Sequence, residues 1–427
     1  MRRLLRQSLG TFAGHGFVLG AGLLTSVLLN RALGPGLKGV FVSCLLIPQT
    51  AVVLSELGLG TAGAYWLVRR KHRPGMVIWL LALASLLLGG LAAAVTWLLL
   101  SGLPAQTWGG LDRMVVLSLI PPGLWLTFVP EIFLGLGWLA GYNWWRSGYQ
   151  AFRLLVLAGL LWLMSDKLQA AIWGSVLLNW AAFLASLALL RRYLRPVGVL
   201  PREELPGFLK FGSRVFVGEV LGFLHYRADI LMIALWLDQS QVGLYATAAF
   251  LSELLWMIPR GVYAPVFARI AGAGMERNDI RQVSIITLGV TGAAALAAAF
   301  LIGPAIGWLY GLPFAGAIRP FIMLLPGTVL LALPKFLEAP LIAELGAPQV
   351  LVWSKGVGLA ANIGLNIMLI PRYGISGAAV ASSLSYSLQA GLFLGLFAGR
   401  YQGLRPGVAR EGELLAGHES RMNELAD

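Results

Sequence analysis

The amino-acid sequence predicts an all-α polytopic membrane protein, twelve transmembrane helices in two six-helix lobes. Three observations lead there. Of the 427 residues, 58% are apolar and only 12% charged, with a mean hydropathy of +0.77; a soluble domain is about 25% charged. Apolar runs of about 20 residues, the length a helix needs to cross a bilayer's hydrocarbon core, recur along the whole chain. Finally, a shift of 204 residues lays the first half of the chain over the second almost without gaps.

Taken in order, the spans fall near 11–32, 40–67, 76–100, 114–137, 149–164, 169–190, 211–237, 243–268, 281–309, 318–344, 350–371 and 376–399. Arg2, Arg3 and Arg6 ahead of the first run resemble the start of a signal peptide. The run continues to about Leu33 without a small-x-small cleavage site, which predicts a retained first helix. Spans one to six form an N-lobe (1–200) and spans seven to twelve a C-lobe (201–404); residues 405–427 form a polar cytoplasmic tail. The linker, about Arg191 to Gly207, is rich in proline and charge.

Basic residues set the orientation. With the N-terminus inside, 22 Lys and Arg fall on the cytoplasmic side, Arg146, Arg153 and Lys355 among them, against 6 outside, including Lys38. Arg214, Arg227, Arg260 and Lys335 fall within spans. That bias predicts cytoplasmic termini. It also assigns the net charge of +13 to membrane topology and anionic lipid rather than to nucleic acid.

The repeat register is specific. Leu33 to Phe41 falls on Leu237 to Tyr245, Pro122-Gly123 on Pro326-Gly327, and Pro130 on Pro334. Each half has an even number of spans, so the lobes share one orientation, as in transporters whose substrate site lies at a repeat interface near the midplane. Prolines inside spans (Pro48, Pro121, Pro122, Pro130, Pro259, Pro265, Pro326 and Pro334) are expected to interrupt their helices.

The chemistry centres on Gly218 to Asp238, an apolar stretch carrying Arg227 and Asp229 near its middle, His225 and Tyr226 beside them, and Glu219 two turns earlier. A charge at mid-membrane costs roughly 2.5–3.5 kcal/mol, so such residues face a bundle interior or a wet cavity. Either they offset charges on neighbouring helices, or they line a cavity for a charged solute. In the repeat register Glu56 falls on Arg260, Glu131 on Lys335 and His15 on Glu219. A gap between lobes would then carry Arg227, Arg260 and Lys335 on one wall, groups suited to a diphosphate. Glu253 is expected to pair with Arg260 in the absence of solute; the alternative for Glu131 and Lys335 is an inter-lobe salt bridge.

Other chemistries find little support. The single cysteine, Cys44, rules out a disulfide framework, and the four histidines do not pair at zinc spacing. Gly34 to Gly39 fits G-x-G-x-x-G but follows no strand, and neither a Walker A lysine motif nor G-x-S-x-G occurs. No cofactor is expected. Trp144 and Trp145 read as an interfacial aromatic belt.

Several segments together resemble a family. Arg31-Ala32-Leu33-Gly34-Pro35 followed by Lys38-Gly39-Val40-Phe41 is similar to the first-to-second-helix junction of polysaccharide transporters. Glu56 to Gly60 resembles their second-helix segment, and Arg227-Ala228-Asp229 with Val242 to Tyr245 their seventh-to-eighth-helix signature. Asn362 to Asn366 through Ile370-Pro371-Arg372-Tyr373-Gly374-Ile375-Ser376-Gly377-Ala378-Ala379 is similar to their eleventh-to-twelfth-helix pattern. The resemblance covers about residues 5–400. It implies the multidrug/oligosaccharidyl-lipid/polysaccharide (MOP) exporter superfamily, with its MATE-like fold, and within it the oligosaccharide or O-antigen flippases. It further implies a substrate of undecaprenyl-diphosphate-linked glycan moved from inner to outer leaflet of a bacterial inner membrane for O-antigen, exopolysaccharide or other surface polysaccharide. The partners would be that lipid-linked glycan, membrane lipid and polysaccharide polymerase machinery. Arg227 would then contact the diphosphate. Asp229 and Glu56 would be candidates for coupling to H+ or Na+, with Glu131, Glu219, Glu253 and His15 as further coupling or gating candidates.

Two rival readings remain at this level. A MATE-type multidrug exporter would hold an organic cation and want an acidic cavity. An integral-membrane glycan polymerase or ligase would need a large outer loop with acid–base residues, whereas the predicted outer loops are short; a non-enzymatic transporter is expected.

Overall fold

The computed structural model describes residues 2–69, 74–101, 113–194, 205–259, 277–343 and 349–402. These residues form helices α1 (Arg2–Ser55), α2 (Leu59–Arg69), α3 (Pro74–Ser101), α4 (Arg113–Leu117), α5 (Ile120–Gly135), α6 (Leu139–Leu163) and α7 (Lys167–Leu190). In the second half they form α8 (Leu205–Trp236), α9 (Gln239–Glu253), α10 (Arg277–Leu309), α11 (Ile318–Ala343) and α12 (Gln349–Gln402). Helices dominate because a lipid-embedded backbone must satisfy its own hydrogen bonds. Large apolar side chains turned outward, such as Leu99, Trp162, Phe300 and Trp308, suit a surface solvated by acyl chains. The protein is a multi-pass membrane protein.

Eight helices among the described residues are long and apolar enough to cross a membrane, against twelve predicted spans. Two of the eight, Gly16–Ser55 and Gln349–Gly399, are 40 and 51 residues long, and each turns at a glycine of positive φ, Gly34 (63°) and Gly374 (58°). Twelve is reached only by dividing these two and adding α6 and α8, whose charged residues lower their hydropathy.

The breaks also correct the proline expectation. α1 runs on through Pro48 and α5 through Pro130, and α11 spans both Pro326 and Pro334. Pro121 and Pro122 do follow a break, between α4 and α5, but they occupy the first turn of α5, where the missing N–H leaves no intrahelical bond unmade. Pro265 lies outside the described residues.

One apolar core gathers Trp125, Phe128 and Phe133 of α5 with residues of α2, α3 and α7. Another gathers Tyr245 of α9, Phe314 and residues of α8 and α10–α12. α1 lies between them, packed on α6 on one side and on α9 on the other, and its Leu46 joins the second core.

The two halves touch at two levels. At the expected outer level, a Cβ placed on Gly39 would lie 1.7 Å from the Gln239 carbonyl oxygen, and one on Gly243 2.0 Å from that of Pro35. These are one contact made twice: the 204-residue shift carries Gly39 onto Gly243 and Pro35 onto Gln239. Around it Asn30 Nδ2 donates to Thr247 Oγ1 (3.2 Å), Ser43 Oγ to Gln239 Oε1 (3.0 Å), and Arg31 to the Leu309 and Trp308 carbonyls. At the opposite level, a Cβ on Gly58 would lie 2.1 Å from the Gly212 carbonyl oxygen. There Tyr65 stacks on Phe211 (4.4 Å) and Trp66 meets Phe208 edge-on (5.3 Å).

Candidate functional site

Between these levels, α1 and α6 of the first half and α8 and α9 of the second surround a cavity of about 350 Å³. A second cavity of about 520 Å³ lies among α1, α5, α6 and α7. Val18, Leu45, Gln49, Gln150 and Arg153 line both, so they are two parts of one chamber. Its charged lining is Lys38, Arg153, Arg227 and Glu253 in the first part, with Arg146 added in the second. Among the described residues, four basic side chains face one carboxylate. Neutral donors and acceptors, among them Thr25, Gln49, Thr127, Gln150 and Asn179, fill out the walls; Gln150 Oε1 is buried without a hydrogen-bond partner.

Arg227 reaches this chamber from α8 and makes a two-pronged pair with Glu253 of α9, Nη1 to Oε1 at 2.7 Å and Nη2 to Oε2 at 3.2 Å. The expected partner of Glu253, Arg260, lies outside the described residues; Glu253 is satisfied by Arg227 instead, because α8 and α9 pack antiparallel about a tight turn. Lys335 is not among the residues lining either part of the chamber. Its ammonium sits over the rings of Tyr226 (4.4 Å) and Trp256 (4.0 Å), a cation–π seat that removes it from the predicted basic wall.

Asp229 is two residues from Arg227 and so points to the other side of α8, into the second core. It is 2% exposed and accepts hydrogen bonds from Tyr245 Oη, Ser382 Oγ (2.8 Å) and the Ile230 N–H (2.7 Å). The network continues inside the bundle: Asn362 Nδ2 donates to Ser382 and Ser385 (3.1 and 3.2 Å), Asn366 donates to Asn362 (2.9 Å), and His225 is bonded to Ser385 (3.0 Å). The Asn362-x-x-x-Asn366 spacing seen in the sequence is thus one face of α12 before Gly374, with Asn362 bonded to Ser382 and Ser385 beyond that turn.

Glu56 and Glu131 both approach Gly60, with Glu56 Oε1 3.3 Å and the Glu131 Cγ 3.6 Å from where its Cβ would stand. Glu219 acts electrostatically on each. Glu56 and Glu131 therefore lie beside the helix that makes the Gly58–Gly212 contact, with Glu219 two turns beyond Gly212 on α8; none of the three lines either part of the chamber, and Glu131 is not salt-bridged to Lys335. His15 belongs to α1, and its side chain lies outside the described residues.

The charge count puts Lys38 in an outer loop and Arg146 and Arg153 on the cytoplasmic side; the structure places all three in helices that line the chamber. Lys38 lies in α1 beyond Gly34, and Arg146 and Arg153 lie in α6. Lys355, also counted on the cytoplasmic side, is in α12 and salt-bridged to Glu338 (2.8 Å). Removing them leaves 19 of the 22 inner and 5 of the 6 outer basic residues, so the bias stands. One signal in the sequence marks the α6 residues: Arg146, Tyr149, Gln150 and Arg153 follow the i, i+3, i+4, i+7 rule of one helix face. The same residues overturn the expectation that the basic wall belongs to the C-lobe.

Residues 4–271, more than half of the chain, match the polysaccharide biosynthesis protein family. The chain belongs to that family. A curated relative, the probable low-salt glycan biosynthesis flippase Agl15 of Haloferax volcanii, is 26% identical over 179 residues, 40% of this chain and 38% of that protein. The chain thus matches under two-fifths of its length. Among solved structures, lipid II flippase MurJ in an inward closed conformation superposes with a TM-score of 0.71 at 15% identity, over 92% of this chain and 87% of that one. A multidrug resistance MATE family transporter of the MOP superfamily, inward-facing, gives 0.68 at 13% identity over 92% and 98%. At such identities these two show the fold alone: the family member has the MATE-like fold of the MOP superfamily. Lys38 to Phe41, quoted above for the resemblance, supplies both the glycine of the inter-lobe contact and a cation of the chamber.

Proposed function

We propose that the protein is a flippase that moves a lipid-linked oligosaccharide, carried on undecaprenyl diphosphate, from the inner to the outer leaflet of a bacterial inner membrane, with both termini cytoplasmic. The observation that carries this reading is the chamber at the interface of the two halves, where, among the described residues, Lys38, Arg146, Arg153 and Arg227 face one carboxylate, Glu253. A diphosphate accepts charge-assisted hydrogen bonds from guanidinium groups, and Arg presents them in matching forked geometry. Its arrival would draw Arg227 from Glu253. The neutral amides and hydroxyls on the walls suit sugar hydroxyls. Family membership and the glycan flippase relative support the substrate class.

The cycle would be alternating access without covalent turnover, not enzymatic catalysis. The Gly39–Gly243 level and the Gly58–Gly212 level would open in turn, with the helices moving as packed bodies. The product would pass to surface polysaccharide assembly such as O-antigen or exopolysaccharide, where a polymerase takes it up.

Reconstituted vesicles test the reading. Undecaprenyl-diphosphate oligosaccharide with a fluorescent sugar, loaded in one leaflet, is expected to become accessible to a membrane-impermeant quencher in the other. Transport of an organic cation such as ethidium in place of the glycan lipid would instead establish the multidrug reading, which the net positive chamber disfavours.

Coupling is assigned to Asp229. It shares α8 with Arg227, so occupancy of the buried network by H+ or Na+ and occupancy of the chamber by an anion act on one rigid element. Asp229→Asn is expected to lower the transport rate about tenfold or more and to abolish its stimulation by an imposed proton or sodium gradient. An unchanged gradient response would remove Asp229 from the coupling step and leave Glu56 as the candidate. The magnitude corresponds to losing one hydrogen-bonded charge, roughly 1.5–3 kcal/mol.

A further inference from the structure

The chamber borders a second feature that the flipping reaction has not used. On the outside of the first half, α5, α6 and α7 enclose an open groove of about 610 Å³. Its walls are apolar: Phe133, Trp138, Trp144 and Phe152 on one side and small α7 residues such as Ala185 on the other. Trp145 and Tyr149 line this groove and the second part of the chamber alike. α6 explains the arrangement, since successive residues turn by about 100°. Arg146, Gln150 and Arg153 fall on one face, Trp144, Gly148 and Phe152 on the opposite one, and Trp145 and Tyr149 on the strip between. The groove floor is glycine: the Trp138 ring rests on Gly141, and a Cβ on Gly148 would meet nothing within 4 Å.

We propose that this groove holds the isoprenoid chain of a polyprenyl diphosphate while its head is in the chamber, with Trp145 and Tyr149 as the sill between them. The inference rests on the diphosphate reading of the chamber. An apolar channel that ends at a two-residue sill, with Arg146 and Arg153 beyond it, matches a ligand in which one apolar chain leaves directly from a doubly phosphorylated head. A phospholipid matches it less well, having two chains and one phosphate. The groove lies at the α6 N-terminus and the α7 C-terminus, the end expected in the cytoplasmic leaflet, where such a ligand would be loaded. Trp144, read from sequence as part of an interfacial belt, becomes a wall of the groove, and the rings supply flat surface for isoprene methyl groups.

The full-length protein in detergent tests this with undecaprenyl diphosphate, inorganic diphosphate and phosphatidylglycerol as ligands. Gly148→Leu fills the groove from its floor, where a Cβ meets nothing within 4 Å, and Ala185→Phe fills it from the facing helix. Both variants are expected to weaken undecaprenyl diphosphate binding about tenfold or more, since they keep isoprene methylenes out of an apolar site, and to leave inorganic diphosphate binding as in the wild type. Unchanged undecaprenyl diphosphate binding in both variants overturns the groove. So does displacement of that ligand by phosphatidylglycerol at equal concentration, which would make the groove a seat for bulk lipid. Arg153→Gln separates the two readings: if it leaves both diphosphates bound while Gly148→Leu still weakens the lipid, the groove stands and the chamber assignment fails. A wild-type protein that binds neither diphosphate overturns both.

Discussion

Replacing either Arg153 or Arg227 by glutamine is expected to cut translocation of the lipid-linked glycan by ten- to a hundredfold in reconstituted vesicles. Arg153 comes from α6 and Arg227 from α8, so the two reach one cavity from opposite halves. A charge-assisted hydrogen bond to a phosphate oxygen contributes roughly 1.5–3 kcal/mol, which is that range in affinity. Glutamine keeps a donor and approximate length while removing charge, so a loss would report electrostatics rather than collapse of the wall. Glu253 supplies the opposite sign. It grips Arg227 through both oxygens and must be displaced by any anion that takes its place. Glu253→Gln is therefore expected to tighten binding of inorganic diphosphate while lowering thermal stability, because the half-buried guanidinium loses its partner. Wild-type rates in both arginine variants would end the anion-chamber reading. Weaker diphosphate binding in Glu253→Gln would show that the carboxylate positions the arginine rather than competing for it.

Gly39→Ala and Gly243→Ala are expected to be comparably damaging without touching the chamber's chemistry. A methyl group on Gly39 would stand 1.7 Å from a backbone carbonyl oxygen, and one on Gly243 2.0 Å from another. Backbone cannot rotate aside as a side-chain tip can, so the two halves must part at this level. Each variant should still fold, since the clash is between halves rather than within either core. Translocation should fall about tenfold or more, as a bias of 1.4 kcal/mol or more between two arrangements shifts their ratio by that factor. A cysteine at Ser43, beside the contact, should become reactive to an impermeant maleimide from the outer side. Gly212→Ala, at the opposite level and 2.9 Å from the Gly58 carbonyl oxygen, should bias the protein the other way and leave the Ser43 cysteine protected. Equal labelling in all three backgrounds would mean that these close approaches are static packing.

The glycines illustrate what could be read along the chain. The 204-residue register aligned Gly39 with Gly243 before any coordinates, yet nothing in it showed that each glycine meets its counterpart's loop. The register also paired Glu56 with Arg260 and Glu131 with Lys335, which suggested charges facing across a gap. In three dimensions Lys335 is seated on aromatic rings and the two glutamates lie near the other inter-lobe level. Equivalent positions in a repeat share a place in their own lobe; they do not thereby face each other.

Arg227 was identified because charge inside an apolar run is costly wherever the helix points, a property of the local sequence. Arg146 and Arg153 escaped because a basic residue near the end of a span reads equally as a topological anchor or as a cavity lining. Composition, span length, repeat period and the cost of buried charge act residue by residue along the chain, so the sequence by itself determined the membrane class, the helical content, the doubled plan and the importance of α8. Which cations share a cavity, that Glu253 meets Arg227, that Asp229 faces away into a hydrogen-bonded core, and that a groove lies behind Trp145 depend on the rotation and crossing of helices far apart in the chain. Only the packed structure decided those, because each rotation is fixed by the side chains of all its neighbours at once.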